Sequence, residues 1–285
     1  MTENNSNSIL HKFIILAIFI VVIILTAKLD WVADPDHMSV GLGIRLMWLS
    51  LLVISGIVIP IVFLSLAGNN TRERGESDKK WFIVSIILFI IANGIPIVFY
   101  IVLDISPGFL LFLQLILFGL IPAYILQPKT LKIRILILIV LFALIILPLG
   151  FFVNSTINDL WYGGATDKTM YYLAFWGLFM TFFYLILAIG WKFGGGTKRQ
   201  SWNIFVAGTL LQFSTLEDFL YFFLNGQPLP GTWPWMDSFV INLEVLFGRV
   251  PTDFDLLIYC LVISSIALFI LFDGHGYVWR KIKSK

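Results

Sequence analysis

Glu217 and Asp218 stand side by side inside an apolar and aromatic run, 202–224, and no other long apolar run of the chain carries acidic residues in its interior. An ionised carboxylate near the middle of a membrane-spanning helix costs about 2.5–3.5 kcal/mol on insertion scales, so each of the two needs a partner, a proton, a cation or water. Proton or cation exchange is the chemistry open to such a pair. Helical spacing puts Asp218 on one face with Ser214 one turn before it and Tyr221 three residues after it, a face that continues to Asn225. A second polar stripe runs through Asn93, Tyr100 and Asp104, separated by seven and four residues.

Further polar groups open neighbouring apolar runs on the same side: Arg45, Gln114, Asp253, Asp255 and Tyr259. Together they predict a water-accessible cavity in the outer half of a helical bundle, rich in carboxylates, with Arg45 as its nearby fixed cation. An acidic cavity of that kind either keeps its protons or holds a cation. Asp30, Asp34, Asp36 and His37 crowd the first outer loop. Asp34, Asp36 and His37 offer oxygen and imidazole ligands to a divalent ion, against the plainer reading of a solvated turn.

Other chemistries fall away on composition. Three histidines, His11, His37 and His275, lie at different ends of the expected topology. They leave no three-histidine zinc site, no di-iron histidine cluster and no paired haem ligands. The serines Ser55, Ser214, Ser264 and Ser265 have no histidine within their runs to act as a base. No run holds an internal lysine for a Schiff base. Cys260 is the single cysteine, which excludes an intrachain disulfide and a thiolate metal cluster. No cofactor is expected.

These side chains must be positioned by helices in a bilayer. Of 285 residues, 59% are hydrophobic and 13% charged, about half the charged share of a soluble domain, and mean hydropathy is +0.93. Eight runs approach the roughly 20 apolar residues a spanning helix needs: 9–31, 46–67, 81–103, 109–126, 135–153, 170–191, 202–224 and 256–272. Counted by alternate loops, 15 of the 19 Lys and Arg fall on one side. The other side holds Lys28, Arg45, Lys168 and Arg249. The positive-inside rule then predicts both termini in the cytoplasm and an even number of spans. The first run could alternatively serve as a cleaved signal peptide, although Leu25 is too large for the small-residue cleavage pattern.

The expected fold is therefore all-α: one polytopic transmembrane bundle of about eight spanning helices covering 1–285. Trp81, Trp191, Trp202 and Trp279 are expected as anchors at the inner interface, and Trp31, Trp161, Trp233 and Trp235 at the outer one. Pro60, Pro96, Pro122 and Pro148 interrupt the second to fifth runs, where kinks let a bundle open a cavity. Gly194–Thr197 reads as a flexible connector, lacking the spacing of a phosphate-binding loop. In the long outer loop, 225–254, the positions Phe239, Val240, Leu243, Leu246 and Phe247 predict an amphipathic helix over 236–247, an interfacial anchor or a lid.

Two functions survive. One is a proton- or cation-coupled transporter of a small solute that uses Glu217 and Asp218. The other is a membrane-embedded lipid-modifying enzyme whose carboxylates act as acid and base or hold a divalent metal. The expected partners are the lipid bilayer and a solute, proton or cation. No basic run interleaved with aromatics supports nucleic-acid binding.

Overall fold

The computed structural model describes residues 3–33, 52–68, 76–97, 110–162, 173–233 and 243–283, together with Ser50 and Tyr171. Every regular element among the described residues is helical. Helices form because apolar side chains can face lipid while the backbone satisfies its own N–H and C=O groups. Among the described residues four helices are long and apolar enough to cross a membrane: Ile9–Lys28, Leu131–Ile157, Ala174–Phe193 and Asp253–Leu271. Ile54–Leu66 and Gln114–Tyr124 are shorter apolar helices.

In chain order the elements are α1 (Glu3–Ala33), a π-helical turn (Ile54–Val58) leading into α2 (Ile59–Leu66), α3 (Glu76–Ile97), α4 (Leu110–Phe118) and α5 (Leu120–Tyr124). Then come α6 (Leu131–Leu141), a second π turn (Phe142–Ile146), α7 (Leu147–Tyr162), and a π-helical stretch (Leu173–Met180) that continues as α8 (Thr181–Phe193). The chain ends with α9 (Lys198–Gln212), α10 (Leu216–Leu224), α11 (Leu243–Phe247), α12 (Asp253–Leu271) and α13 (Gly274–Lys283).

Two of the prolines explain two of the π turns. A proline ring inside a helix collides with the carbonyl four residues back. Ahead of Pro60 the Ile59 N–H reaches five residues back to Ile54 O, and ahead of Pro148 the Leu147 N–H reaches Phe142 O in the same way. The wider turn makes room for the ring. These two turns also pack on each other: a Cβ on Gly56 would lie 2.3 Å from the Phe142 ring.

The centre of the molecule is the hairpin of α8 and α9. All of α8 except Phe182 and Lys192 is buried, and α9 is buried without interruption from Asn203 to Gln212. Small residues allow the close approach: a Cβ on Gly190 would meet Pro60 O at 2.5 Å, and one on Gly208 the Tyr184 ring at 2.4 Å. The turn Gly194–Thr197 is not the flexible connector its glycines suggest. A Cβ on Gly194 would lie 2.1 Å from Leu64 O, Gly195 has φ 101°, and all three glycines are buried.

Side-chain contacts bring helix ends together at one end of the bundle. There Lys12 donates to Phe272 O, Trp81 stacks on Tyr124, Lys198 lies 5.0 Å over the Tyr124 ring, and Arg199 pairs with Asp273 at 2.9 Å. Arg134, counted in the sequence as a loop charge, is 2% exposed and donates to the carbonyls of Pro128, Lys129 and Phe193. With Gln127, which also donates to Phe193 O, it caps the C-terminus of α8.

The tryptophans divide. Trp81 and Trp279 are exposed, as interfacial anchors require, but Trp191 and Trp233 are buried and belong to the packing. Trp233, 0% exposed, lies against Phe219 and Phe222 and shares a small apolar cluster with Leu243, Leu256 and Tyr259. An antiparallel bridge between Thr232 and Thr252, with Trp233 N–H donating to Pro251 O at 2.9 Å, holds it there. Residues 243–247 of the expected amphipathic helix are helical, with Leu243 buried and Glu244 exposed. The rest of that expected helix, 236–242, lies outside the described residues.

Candidate functional site

The seventh apolar run is two helices. α9 stops at Gln212, α10 begins at Leu216, and the break between them carries Thr215 at φ 64°. A β-branched residue rarely takes this left-handed conformation. Local bonds hold it there: the Thr215 carbonyl accepts from Phe219 N–H, Thr215 Oγ1 donates to Ser214 O at 2.6 Å, and Ser214 Oγ donates to Leu211 O at 2.7 Å. Serine and threonine hydroxyls thus take up carbonyls that the break releases.

This break revises the polar face drawn through Ser214, Asp218 and Tyr221, because that spacing holds only on a continuous helix. Ser214 is fully buried ahead of α10 and, with Thr215, lies against the Cys260 thiol of α12. Tyr221 turns to α1, its ring centroid 5.1 Å from that of Trp31.

Glu217 is 2% exposed, and its Oε1 has no hydrogen-bond partner. Among the described residues, Asp30 and Asp218 are in electrostatic range of it. Asp218 is half-buried on the next position of α10 and lies in range of Tyr259 and Cys260 on α12. Asp30, grouped in the sequence with a solvated outer loop, sits on the last turns of α1 and accepts a hydrogen bond from the Tyr171 hydroxyl at 2.6 Å. Three carboxylates from two helices therefore gather beside the break.

A polar thread leads down from the break into the core. Tyr184 Oη donates to Gln212 Oε1 at 3.1 Å, Gln212 Nε2 donates to Thr26 Oγ1 at 3.4 Å, and Thr26 Oγ1 donates to Ile23 O at 2.9 Å. All three side chains are buried. On the outer side of α10, Lys28 donates to Leu224 O at 3.0 Å and Asn225 Oδ1 at 2.6 Å. A cation there complements the carbonyl end of the helix. Among the described residues Lys28 is a cation beside α10, and Arg45 lies outside them.

Below Asp30 and Tyr171 a small apolar recess of about 50 Å³ opens between α1, the first π turn and the π-helical stretch before α8. Thr26 belongs to its wall and to the polar thread at once.

The remaining candidates are distributed as follows. Asp255 is the third residue of α12: both Thr252 N–H and Thr252 Oγ1 donate to it, and Arg249 pairs with it at 2.7 Å. That is a capping box with an added ion pair, which accounts for its oxygens structurally. Gln114 is half-buried on α4, its Oε1 without a hydrogen-bond partner, and α4 packs against α3 and α9. Asn93 lies within α3, but its side chain is outside the description, as are Tyr100, Asp104, Arg45 and the candidate metal ligands Asp34, Asp36 and His37. Among the described residues no three His, Cys, Asp or Glu side chains converge as metal ligands.

Sequence reading missed Thr26, Tyr171 and Gln212, and it placed Asp30 in a loop. A signal for two of them was present: Thr26 and Asp30 are four residues apart, a polar pair on one face of an otherwise apolar helix. Tyr171 carries no such signal. The chain matches no family model, no curated protein and no solved structure.

Proposed function

We propose that this chain is a multi-pass membrane protein of about eight spanning segments with both termini in the cytoplasm, and that it is a proton- or cation-coupled transporter of a small solute. The observation that carries the reading is Glu217, a buried carboxylate with an unpartnered oxygen beside a helix break. Discontinuous helices near the middle of a bundle supply transporters with ion and substrate sites, because broken turns free polar groups where the surrounding protein can still satisfy them. In this reading Glu217 exchanges the proton or cation, Asp30 and Asp218 set the local charge, and Tyr171 orients Asp30. The 15 to 4 division of basic residues supports the sidedness.

The test uses the full chain in proteoliposomes with a trapped pH-sensitive dye. Addition of inorganic cations or organic amines should drive a proton flux that Glu217→Gln abolishes. A flux that Glu217→Gln leaves intact would overturn this reading. Gradient-independent conversion of lipid by the protein in detergent micelles would replace it with a lipid-modifying enzyme, whose acid and base would be the same carboxylates.

A further inference from the structure

We propose that the ligand is an amphipathic organic cation, with its charged head at Asp30 and Glu217 and its apolar tail in the recess between α1 and the π-helical stretch. This rests on the transport reading for what is done with the ligand, but not for its recognition.

Asp30 and Tyr171 continue the two walls of the recess by one turn each. On α1, Val22, Leu25 and Thr26 line the recess and Asp30 stands one turn above Thr26. Across from them Phe175 and Phe179 line it, and the Tyr171 ring stacks on Phe175 at 5.8 Å, one turn higher. The hydrogen bond from Tyr171 to Asp30 joins the two walls directly over the apolar space. In electrostatic range of Asp30 is the buried Glu217, whose Oε1 has no hydrogen-bond partner. A cavity lined by alkyl and aromatic groups fits a hydrocarbon tail. Its floor polar groups are spoken for, since Ser55 donates to Leu52 O and Thr26 to Ile23 O.

Charge complementarity decides the head. A buried carboxylate with two carboxylate neighbours rejects an anion and favours an ammonium, whose positive charge Glu217 can neutralise. The absence of a converging ligand set among the described residues favours an organic cation over a metal ion. Entry is from the lipid phase: Leu25 and Ile54 line the recess and are 38% and 45% exposed on an apolar surface.

The experiment is binding to the full chain in lipid nanodiscs, where no detergent competes. Dodecyltrimethylammonium, dodecyl sulfate and tetramethylammonium separate head charge from tail. The cationic amphiphile should bind at least tenfold more tightly than either comparator, Glu217→Gln should weaken it at least tenfold, and Ser55→Phe, which fills the recess, should do likewise. Val22→Phe serves the same purpose if Ser55→Phe does not fold. Equal binding of the anionic and cationic amphiphiles, or of tetramethylammonium and its long-chain form, would overturn the inference. Proton flux without amphiphile binding defeats the inference and leaves the transport reading standing. Selective binding without any flux does the reverse.

Discussion

Replacing Glu217 by Gln tests whether a buried acid is kept for what it does. The two side chains have the same shape, so packing around this 2%-exposed position is retained. Glu217 Oε1 makes no hydrogen bond, and thus the substitution breaks none at that atom. What it removes is the electrostatic burden of a carboxylate near Asp30 and Asp218. At the centre of a spanning helix that burden is about 2.5–3.5 kcal/mol. Glu217 lies beside the last turns of α1, and the amide brings its own buried polar groups. The expected gain is then about 1–2 kcal/mol if the acid is ionised and close to zero if it holds a proton. For a chain of this length that is a rise of roughly 2–4 °C in Tm. Asp255→Asn is the matched control with the opposite sign, because it removes the charge that pairs with Arg249 and weakens the capping box of α12. Melting curves in detergent give the stabilities, and the proteoliposome flux gives the activity. A Glu217→Gln protein that melts 3 °C or more below wild type and keeps its flux per folded molecule would refute the argument, since it would make Glu217 a structural partner.

Sidedness is testable by single cysteines in a Cys260→Ala background: Gln227→Cys should react with an impermeant thiol reagent in intact cells, while Lys129→Cys and Lys281→Cys should react only after permeabilisation. Trp233→Ala empties a fully buried site between Phe219 and Phe222 and should lower stability by about 3 kcal/mol in a denaturation series, whereas an interfacial anchor would lose little. Gly194→Ala drives a methyl group into the Leu64 backbone and should destabilise by about 1–3 kcal/mol, while Gly94→Ala, with nothing within 4 Å of the added Cβ, should melt at or above wild type.

Much of the helical layout was legible because hydropathy and length decide it. α1, the π-helical stretch continued by α8, and α12 fall on the runs 9–31, 170–191 and 256–272 with shifts of a few residues at their ends. The break between α9 and α10 was not legible: Phe213-Ser214-Thr215 contains neither glycine nor proline, and a left-handed threonine contradicts local preference. On the uninterrupted helix Asp218, not Glu217, would be the acid with polar company. With the break in place, Glu217 is the buried one and is expected to be the more sensitive position. Arg134 illustrates a second limit. Its sequence neighbourhood marks a loop charge, and its burial depends on meeting the Phe193 carbonyl, 59 residues away. Contacts at that separation leave no mark on periodicity.

The uninterrupted burial of α9 bears on how the chain is made. Its segment from Asn203 to Gln212 offers Asn203, Thr209 and Gln212 to its surroundings, and it is not among the helices apolar enough to cross a bilayer by themselves. Released alone from a ribosome into lipid, it would have no stable resting place. The Gly194–Thr197 turn removes that difficulty by folding α9 back on α8 as soon as both have emerged, and Tyr184 then meets Gln212. Biogenesis is thereby ordered: α8 and α9 enter as one unit, and α12, synthesised after them, closes over the side of α9 that would otherwise still face the hydrocarbon.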